Sequence, residues 1–193
     1  FITNRMFAHR GLHNQDLGIP ENSLAAFKAA KDLGFGVELD VRLTKDGQVI
    51  VFHDDTLLRL CGKADRVRDL NYEDLCTLRL CDTEETIPLL SQALAVLDGA
   101  SVICELKMYD GVKNMEELCS KTADLLKNYK GDYCVESFSP FALRWFMKNR
   151  PQIIRGQLSE DFEKPDRHTF VMKHLLVNFL GRPDFISYSA RSI

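Results

Sequence analysis

Five residues of this chain have the types and the placement to do chemistry together: His9, Glu38, Asp40, His53 and Glu105. Each stands within, or at the end of, an apolar run. Met6-Phe7-Ala8 leads into His9, and Val49-Ile50-Val51-Phe52 into His53. Val37, Leu39, Val41 and Leu43 interleave with Glu38 and Asp40, and Val102-Ile103-Cys104 precedes Glu105. Taken singly, each has a structural explanation. Alternation is what any half-exposed strand shows, a histidine after a strand can be a hydrogen-bonded core residue, and Asp54 behind His53 can cap a turn. Glu105 and Lys107 can be an outward-facing pair on an edge strand. Taken together they need more. Three carboxylates in a low-dielectric site oppose one another's ionisation unless something neutralises them. A divalent cation does so, and an all-oxygen ligand set suits Mg²⁺ or Ca²⁺ rather than zinc. Two histidines beside such a cation supply an acid and a base that titrate near neutrality. With Arg10 and Lys107 as further cations, the set fits cleavage of a phosphodiester. Positive charge stabilises the equatorial oxygens, one histidine activates the nucleophile and the other protonates the leaving alkoxide.

The elements that must position these groups can be read from periodicity. Residues 6–8 form a short strand. A helix follows, opened by Pro20-Glu21, capped by Asn22 or Ser23, carrying Leu24, Phe27, Ala30 and Leu33 on its apolar face and ended by Gly34. Residues 36–43 alternate strictly, as a strand with two distinct faces does. Lys45-Asp46-Gly47 is a tight turn into a strand over 48–52, too short a connection for a helical crossover, so the pair reads as a hairpin. If 43 lies opposite 48, then 38 faces 53; a slip of two puts 40 there. In either register His53 joins the face that bears Glu38 and Asp40. Residues 56–86 read as irregular and polar, with a short helix at Tyr72–Leu78. Helices at Pro88–Leu97, Glu116–Asn128, Phe141–Asn149 and Phe170–Phe179 then alternate with strands at 101–107, 133–138, 153–158 and 185–188.

Strand–helix alternation at roughly 25–30 residues per unit implies an α/β protein, a TIM-type (β/α)8 barrel. The whole chain, 1–193, reads as one domain with a small insertion at about 54–86. Seven strands are expected where a closed barrel has eight, so the last strand and helix are missing. The Phe1 start and this shortfall together suggest a fragment whose barrel closes with residues beyond Ile193. The net charge of −3, with Lys and Arg scattered, argues against a nucleic-acid partner. No apolar run is long enough to span a bilayer, and no secretory leader is visible. The cysteines at 61, 76, 81, 104, 119 and 134 lack CxxC spacing and zinc-like offsets to histidine. They are expected to be buried and reduced, which suits a cytoplasmic protein.

The motifs also carry a resemblance. His9-Arg10-Gly11, Pro20-Glu21-Asn22-Ser23-Leu24, Glu38-Leu39-Asp40-Val41-Arg42-Leu43 and His53-Asp54 follow one another as in the glycerophosphodiester phosphodiesterase family. Glu105-Leu106-Lys107 resembles that family's next motif, and Ser137-Phe138-Ser139-Pro140 a later one. The resemblance is specific over the first 55 residues and looser to about residue 158. It implies hydrolysis of glycerophosphodiesters to glycerol 3-phosphate and an alcohol. His9 and His53 would be the acid–base pair, Glu38, Asp40 and Glu105 the ligands of one Mg²⁺ or Ca²⁺, and Arg10 and Lys107 the phosphoryl-binding cations. Glu21 would orient Arg10 or one of the histidines, and the 54–86 insertion would bear on head-group choice. Two departures stand out. Glu136 replaces an expected neutral polar residue, adding charge near the metal or facing solvent, and the family's Trp-Thr-containing last strand is absent. The alternatives are a related phosphodiesterase acting on phosphatidylinositol-like or sphingomyelin-like lipids, and a barrel that binds without catalysing. The first would show aromatic or basic clusters around the mouth, of which residues 168–180 give a faint hint. The second would have lost a ligand or a histidine, and none is lost.

Overall fold

The computed structural model describes residues 2–108, 112–160 and 167–189. The chain divides into two compact units, Phe1–Tyr133 and Cys134–Ile193.

In the first unit β1 (Phe7–His9) is followed by helix α1 (Leu24–Asp32) and the long strand β2 (Gly36–Leu43). Helix α1 starts where Ser23 Oγ accepts the amide of Ala26, one of the orphan donors of a first helical turn. Its inward face is Ala26, Phe27 and Ala30, while Leu33, expected to be inward, is 65% exposed. The helix is one turn shorter on that face than the apolar spacing implies. β1 and β2 are parallel, with His9 level with Glu38. β2 is also parallel to β4 (Val102–Leu106), with Asp40 level with Glu105. Every residue of β2 is buried, so the alternation divides two buried faces rather than core from solvent. Val37, Leu39 and Val41 are sealed on one face, with Glu38, Asp40 and Arg42 on the other.

β3 (Val49–Val51) pairs antiparallel with the end of β2. Since β2 already has β1 and β4 as neighbours, β3 is an appended ribbon and not one of the parallel strands, contrary to the expectation for 48–52. The register also differs from both expected ones. Leu43 lies opposite Val49 and Val41 opposite Val51. Extended without a break, that parity would turn His53 onto the apolar face. The ladder ends at Phe52, however, whose amide donates to Asp40 O at 2.9 Å. Beyond it the chain leaves the strand, and Arg42 Nε donates to the carbonyl of His53 at 2.8 Å. That side-chain contact holds the His53 carbonyl where the ladder has ended.

The segment expected to be irregular has a core of its own. Helices α2 (Leu58–Cys61) and α3 (Tyr72–Leu75) close Leu57, Leu60, Val67, Leu75, Leu80 and Ile87 over Ile50 and Phe52. Each such fully buried side chain contributes about 1.5–3 kcal/mol toward ordering the segment. It is tied to the hairpin turn through Asp46 Oδ1, which accepts the amide of Tyr72 at 3.0 Å, and through Leu70 O, which accepts the amide of Lys45. Helices α4 (Leu90–Leu97) and α5 (Val112–Leu126) flank β4 in sequence and complete this unit.

In the second unit β5 (Tyr133–Ser137), β6 (Arg155–Ser159) and β7 (Phe185–Tyr188) run parallel, joined by α6 (Pro140–Asn149), α7 (Arg167–Lys173) and α8 (Asn178–Gly181). The single helix expected over 170–179 is broken into two at Leu175, whose φ of 56° no helix accommodates. Phe170 and Phe179 are more than half exposed, and Phe170 packs on His174 with ring centres 4.4 Å apart. Glu136 is buried on β5, which excludes the solvent-facing alternative. No disulfide forms. Cys104, Cys119 and Cys134 are buried as expected, but Cys61, Cys76 and Cys81 are only half-buried, since they lie in or beside the small helices of the inserted segment.

Candidate active site

The parallel registers build the centre of the site. Glu38 and Asp40 are two apart on β2 and so share a face, and β4 sets Glu105 beside Asp40. One carboxylate oxygen from each of the three lies within 4.8 Å of the others, and all three residues are buried. Lys107, one residue past the end of β4, puts Nζ 2.7 Å from Glu105 Oε1 and 3.2 Å from Asp40 Oδ1. Arg10 Nε lies 3.3 Å from Asp40 Oδ2, and the Arg10 amide donates to Glu38 Oε2. Burial alone would raise Asp40, but Lys107, a hydrogen bond from Asn22, His53 and Arg10 outweigh it and hold its carboxyl below the usual value. Glu105 goes the other way. Burial, reinforced by the Asp40 charge, pushes it up to about 7 despite the Lys107 ion pair.

His9 and Arg10 occupy the centre of a turn closed by Gly11 N donating to Ala8 O at 3.1 Å. Arg10 has φ 56°, a conformation a non-glycine residue adopts only when its surroundings enforce it. Gly11 follows at φ 80°, and a Cβ there would sit 2.8 Å from Cβ of Ala26 and 2.9 Å from its carbonyl carbon. Only glycine lets the loop lie this close on α1, which explains the residue after His-Arg in physical terms. His9 Nε2 reaches to 3.9 Å from Glu38 Oε2, with most of its ring in solvent. Partial burial and the neighbouring Arg10 hold it below its ordinary value.

His53 Nδ1 lies 2.6 Å from Asp54 Oδ1. Asp54 titrates at about 2, kept low against its burial by Arg59 and His53, so it is ionised and can only accept. The Nδ1 position therefore carries the proton, and the neutral ring keeps its lone pair on Nε2. Burial lowers His53 itself, opposed by Asp54 and assisted by Lys107.

Of the residues singled out from sequence, His9, Arg10, Glu21, Glu38, Asp40, His53, Glu105 and Lys107 all gather in this one unit. Glu21 accepts from Arg10 Nη1 at 2.8 Å, the first of the two roles expected for it. Arg10 and Lys107, expected on phosphoryl oxygens, are paired here with Asp40 and Glu105. Three residues went unrecognised as site residues. Asn22 takes φ 56° and brackets Asp40, its amide donating to Oδ2 at 2.8 Å and its carbonyl facing the Asp40 amide at 3.4 Å. Asp54 holds His53, and Arg59 contacts both Asp54 and Glu21.

Residues 9–192 match the model of the glycerophosphoryl diester phosphodiesterase family. The chain belongs to that family. A glycerophosphodiester phosphodiesterase of Caldanaerobacter subterraneus subsp. tengcongensis is 30% identical over 162 residues, 79% of this chain and 65% of that one. A lysophospholipase D of Rattus norvegicus is 34% identical over 143 residues, 67% of this chain and 43% of that one. The chain thus spans about two thirds of the first relative's length and less than half of the second's. A phosphodiesterase of Oleispira antarctica, solved in complex with the product sn-glycerol-3-phosphate, superposes with a TM-score of 0.80 at 27% identity, covering 98% of this chain and 76% of that one. The fold class is accordingly that of the family's TIM-barrel structures, of which the described residues hold an incomplete set of strands. No helix among the described residues is long and apolar enough to cross a membrane.

The family is one of metal-dependent enzymes, and the carboxylates here fit a cation. Oxygens sharing one Mg²⁺ or Ca²⁺ at 2.0–2.6 Å lie up to ~5 Å apart, which the 4.8 Å spread of Glu38, Asp40 and Glu105 satisfies. Burial and the Asp40 charge, which push Glu105 up to about 7, both penalise a charge that a bound dication would offset.

Proposed function

We propose that the chain hydrolyses glycerophosphodiesters to sn-glycerol 3-phosphate and an alcohol, with Mg²⁺ or Ca²⁺ held by Glu38, Asp40 and Glu105. The observation that carries this reading is the buried carboxylate triad flanked by two histidines, one of them with Nδ1 2.6 Å from Asp54 Oδ1. Charge supports it. The three innermost carboxylates against Arg10 and Lys107 leave one net negative charge, and a dication makes the site singly positive, matched to a singly charged phosphodiester. Bound there, the ion stabilises negative charge on the phosphoryl oxygens. The protein's own groups then divide the proton transfers. A water molecule attacks phosphorus and gives its proton to His53 Nε2. The bond from phosphorus to the leaving oxygen breaks, and His9, the more exposed of the two, protonates the departing alkoxide. Arg10 and Lys107 exchange part of their pairing with Asp40 and Glu105 for the phosphoryl oxygens.

The test is a product assay on glycerophosphocholine, glycerophosphoethanolamine, glycerophosphoinositol and a lysophospholipid, with Mg²⁺, with Ca²⁺ and with EDTA. Glycerol 3-phosphate is expected from the first three, no turnover in EDTA, and recovery on adding the cation. Full activity after exhaustive chelation would falsify the metal assignment. The lysophospholipid arm tests the related-lipid alternative, which the similarity to the rat lysophospholipase D supports.

A further inference from the structure

Arg59 lies outside the strands, on α2 of the inserted segment, and its guanidinium uses two edges at once. Nε and Nη2 donate to Asp54 Oδ2 and Oδ1 at 2.7 and 3.0 Å. Nη1 and Nη2 donate to Glu21 Oε2 and Oε1, both at 2.8 Å. The two oxygens that meet at Nη2 are the ones that hold the chemistry. Asp54 Oδ1 takes His53 Nδ1, and Glu21 Oε1 takes Arg10 Nη1. One nitrogen therefore joins the support of the base to the support of a phosphoryl-binding cation. The strength of this double fork is visible in its partners, since Glu21 and Asp54 are both held at about 2, chiefly by Arg59 against the effect of burial.

What places the guanidinium is the segment's own core. Leu57 and Leu60 flank Arg59 and are buried in that cluster, and the Cys81 amide donates to Leu60 O at 2.7 Å. The side chain is itself 46% exposed, so bulk solvent reaches the fork from outside.

We propose that Arg59 is a positioning residue of the reaction, through which the inserted segment sets the orientation of His53 and Arg10 together. This rests on the reading of His53 and Arg10 given above. A planar, five-donor fork is required, because a lysine ammonium offers no paired edges and cannot hold two carboxylates in one plane. Losing a partner that orients a ligating or reacting group typically costs about 10–100-fold in activity.

The experiment compares wild type, Arg59→Ala and Arg59→Lys with saturating Mg²⁺ on glycerophosphocholine. Arg59→Ala is expected to lower kcat about 10–100-fold, with the Mg²⁺ concentration for half activity unchanged, because Arg59 contacts none of the three carboxylates. Arg59→Lys stays low. Added guanidinium ion restores part of the Arg59→Ala rate through the exposed side of the fork, and methylammonium does not. A readout independent of turnover is the ¹⁵N signal of the His53 ring, which should report the Nδ1-protonated tautomer in wild type and its loss in Arg59→Ala. If Arg59→Ala retains kcat within about twofold, or if Arg59→Lys restores it, the proposal is wrong. It is equally wrong if the loss resists guanidinium while the His53 tautomer is unchanged. Should Arg59→Ala fail to fold, the Arg59→Lys rate and His53 signal decide on the same terms. Absence of phosphodiesterase activity in wild type would instead remove the functional reading, leaving the His53 tautomer comparison to judge Arg59.

Discussion

The parallel strands and the inserted segment supply the same site by different means. Glu38, Asp40 and Glu105 stand where backbone hydrogen-bond ladders put them: two-residue spacing on β2 gives the shared face, and register with β4 gives the third carboxylate. Side chains outside the strands, Asn22, Arg10 and Lys107, then hold the carboxylates that the ladders have already brought together. Arg59 and Asp54 stand where side chains hold them, on a four-residue helix and a loop whose order comes from a small private core. A ladder is rigid and indifferent to its neighbours, so it suits groups that must stay crowded against their own repulsion. A side-chain clamp on a small core yields more readily, and it suits groups whose orientation is adjusted.

The sharpest way to break this contrast is to remove a ladder-borne ligand. Asp40→Asn should lower kcat by at least as much as loss of a histidine and abolish the cation's effect on stability, while the metal-free fold remains. In wild type, Mg²⁺ or Ca²⁺ at 100 times its Kd should add about 2.7 kcal/mol to unfolding stability, measured as a rise in midpoint under denaturant. An Asp40→Asn protein still stabilised to the same degree would show that the ladder does not hold the ion.

Next in size come the histidines. His53→Ala and His9→Ala should each lower kcat by about 10²–10⁴-fold with small changes in metal requirement. Because burial keeps both His53 and His9 below their ordinary value, the rate should pass through a maximum below about pH 6.5, rising as His53 loses its proton and falling as His9 loses the one it must donate. A rising limb centred above about 6.5, the ordinary histidine value, would reverse the assignment of His53 as base.

A core substitution in the inserted segment sharpens the comparison from the other side. Leu75→Ala should cost about 2–4 kcal/mol by equilibrium unfolding, lower kcat moderately and leave the metal requirement intact. Equal losses in kcat and cation affinity would mean that the two regions do not act separately.

The smallest effect is electrostatic. Glu21 and Asp54 sit at about 2 in the folded chain, below ordinary carboxyl values, so the folded state binds fewer protons than the unfolded one. Their stabilisation is complete above those ordinary values and is lost as pH falls toward 2. Glu105 has the opposite sign. Raised to about 7, it makes the metal-free fold lose stability as pH climbs from its ordinary 4.5 through 7, and the cation should cancel that slope. Unfolding midpoints between pH 3 and 8, with and without Mg²⁺, check both.

The same contrast governs what could be read from sequence. Ladder-borne groups declare themselves, because strict alternation across 36–43 fixes the face of Glu38 and Asp40 whatever packs around them. The motif residues His9, Arg10 and Lys107 follow from their position at strand ends. His53 reaches the carboxylate side by a route that strand pairing does not predict. Its hairpin register is one residue away from either expected one, and the ladder ends before His53, where Arg42 holds its carbonyl. Asn22 resembled a helix cap because amide side chains cap helices well, and its left-handed backbone, which aims it at Asp40 instead, leaves no trace in spacing. Arg59 could not be found at all, since a polar residue in an apparently irregular stretch gives no hint of a double fork. Leu33 failed because apolar periodicity cannot tell the last inward turn of a helix from the first exposed one.

The turn between β2 and β3 bears on how relatives of this chain can vary in length. Gly47 has φ 75°, its carbonyl accepts Lys121 Nζ at 2.6 Å, and a Cβ at that position would meet both Lys121 and Glu117. One residue earlier, Asp46 joins the Thr44 hydroxyl to the start of α3. A single inserted or deleted residue here would break all of these ties and invert the faces of β3, moving Ile50 out of the core it shares with Phe52. Past Asp55 the backbone pairing is confined to isolated bridges such as Thr56 with Arg66, and residues added at the tip between them cost mainly loop closure, about 0.6 kcal/mol per doubling. Length variation should therefore collect beyond the hairpin, in the segment that reaches the site through Arg59, and be excluded from the five residues of the turn. Grafting a longer segment between Gly62 and Asp65 should consequently preserve folding, where the same graft between Asp46 and Gly47 should not.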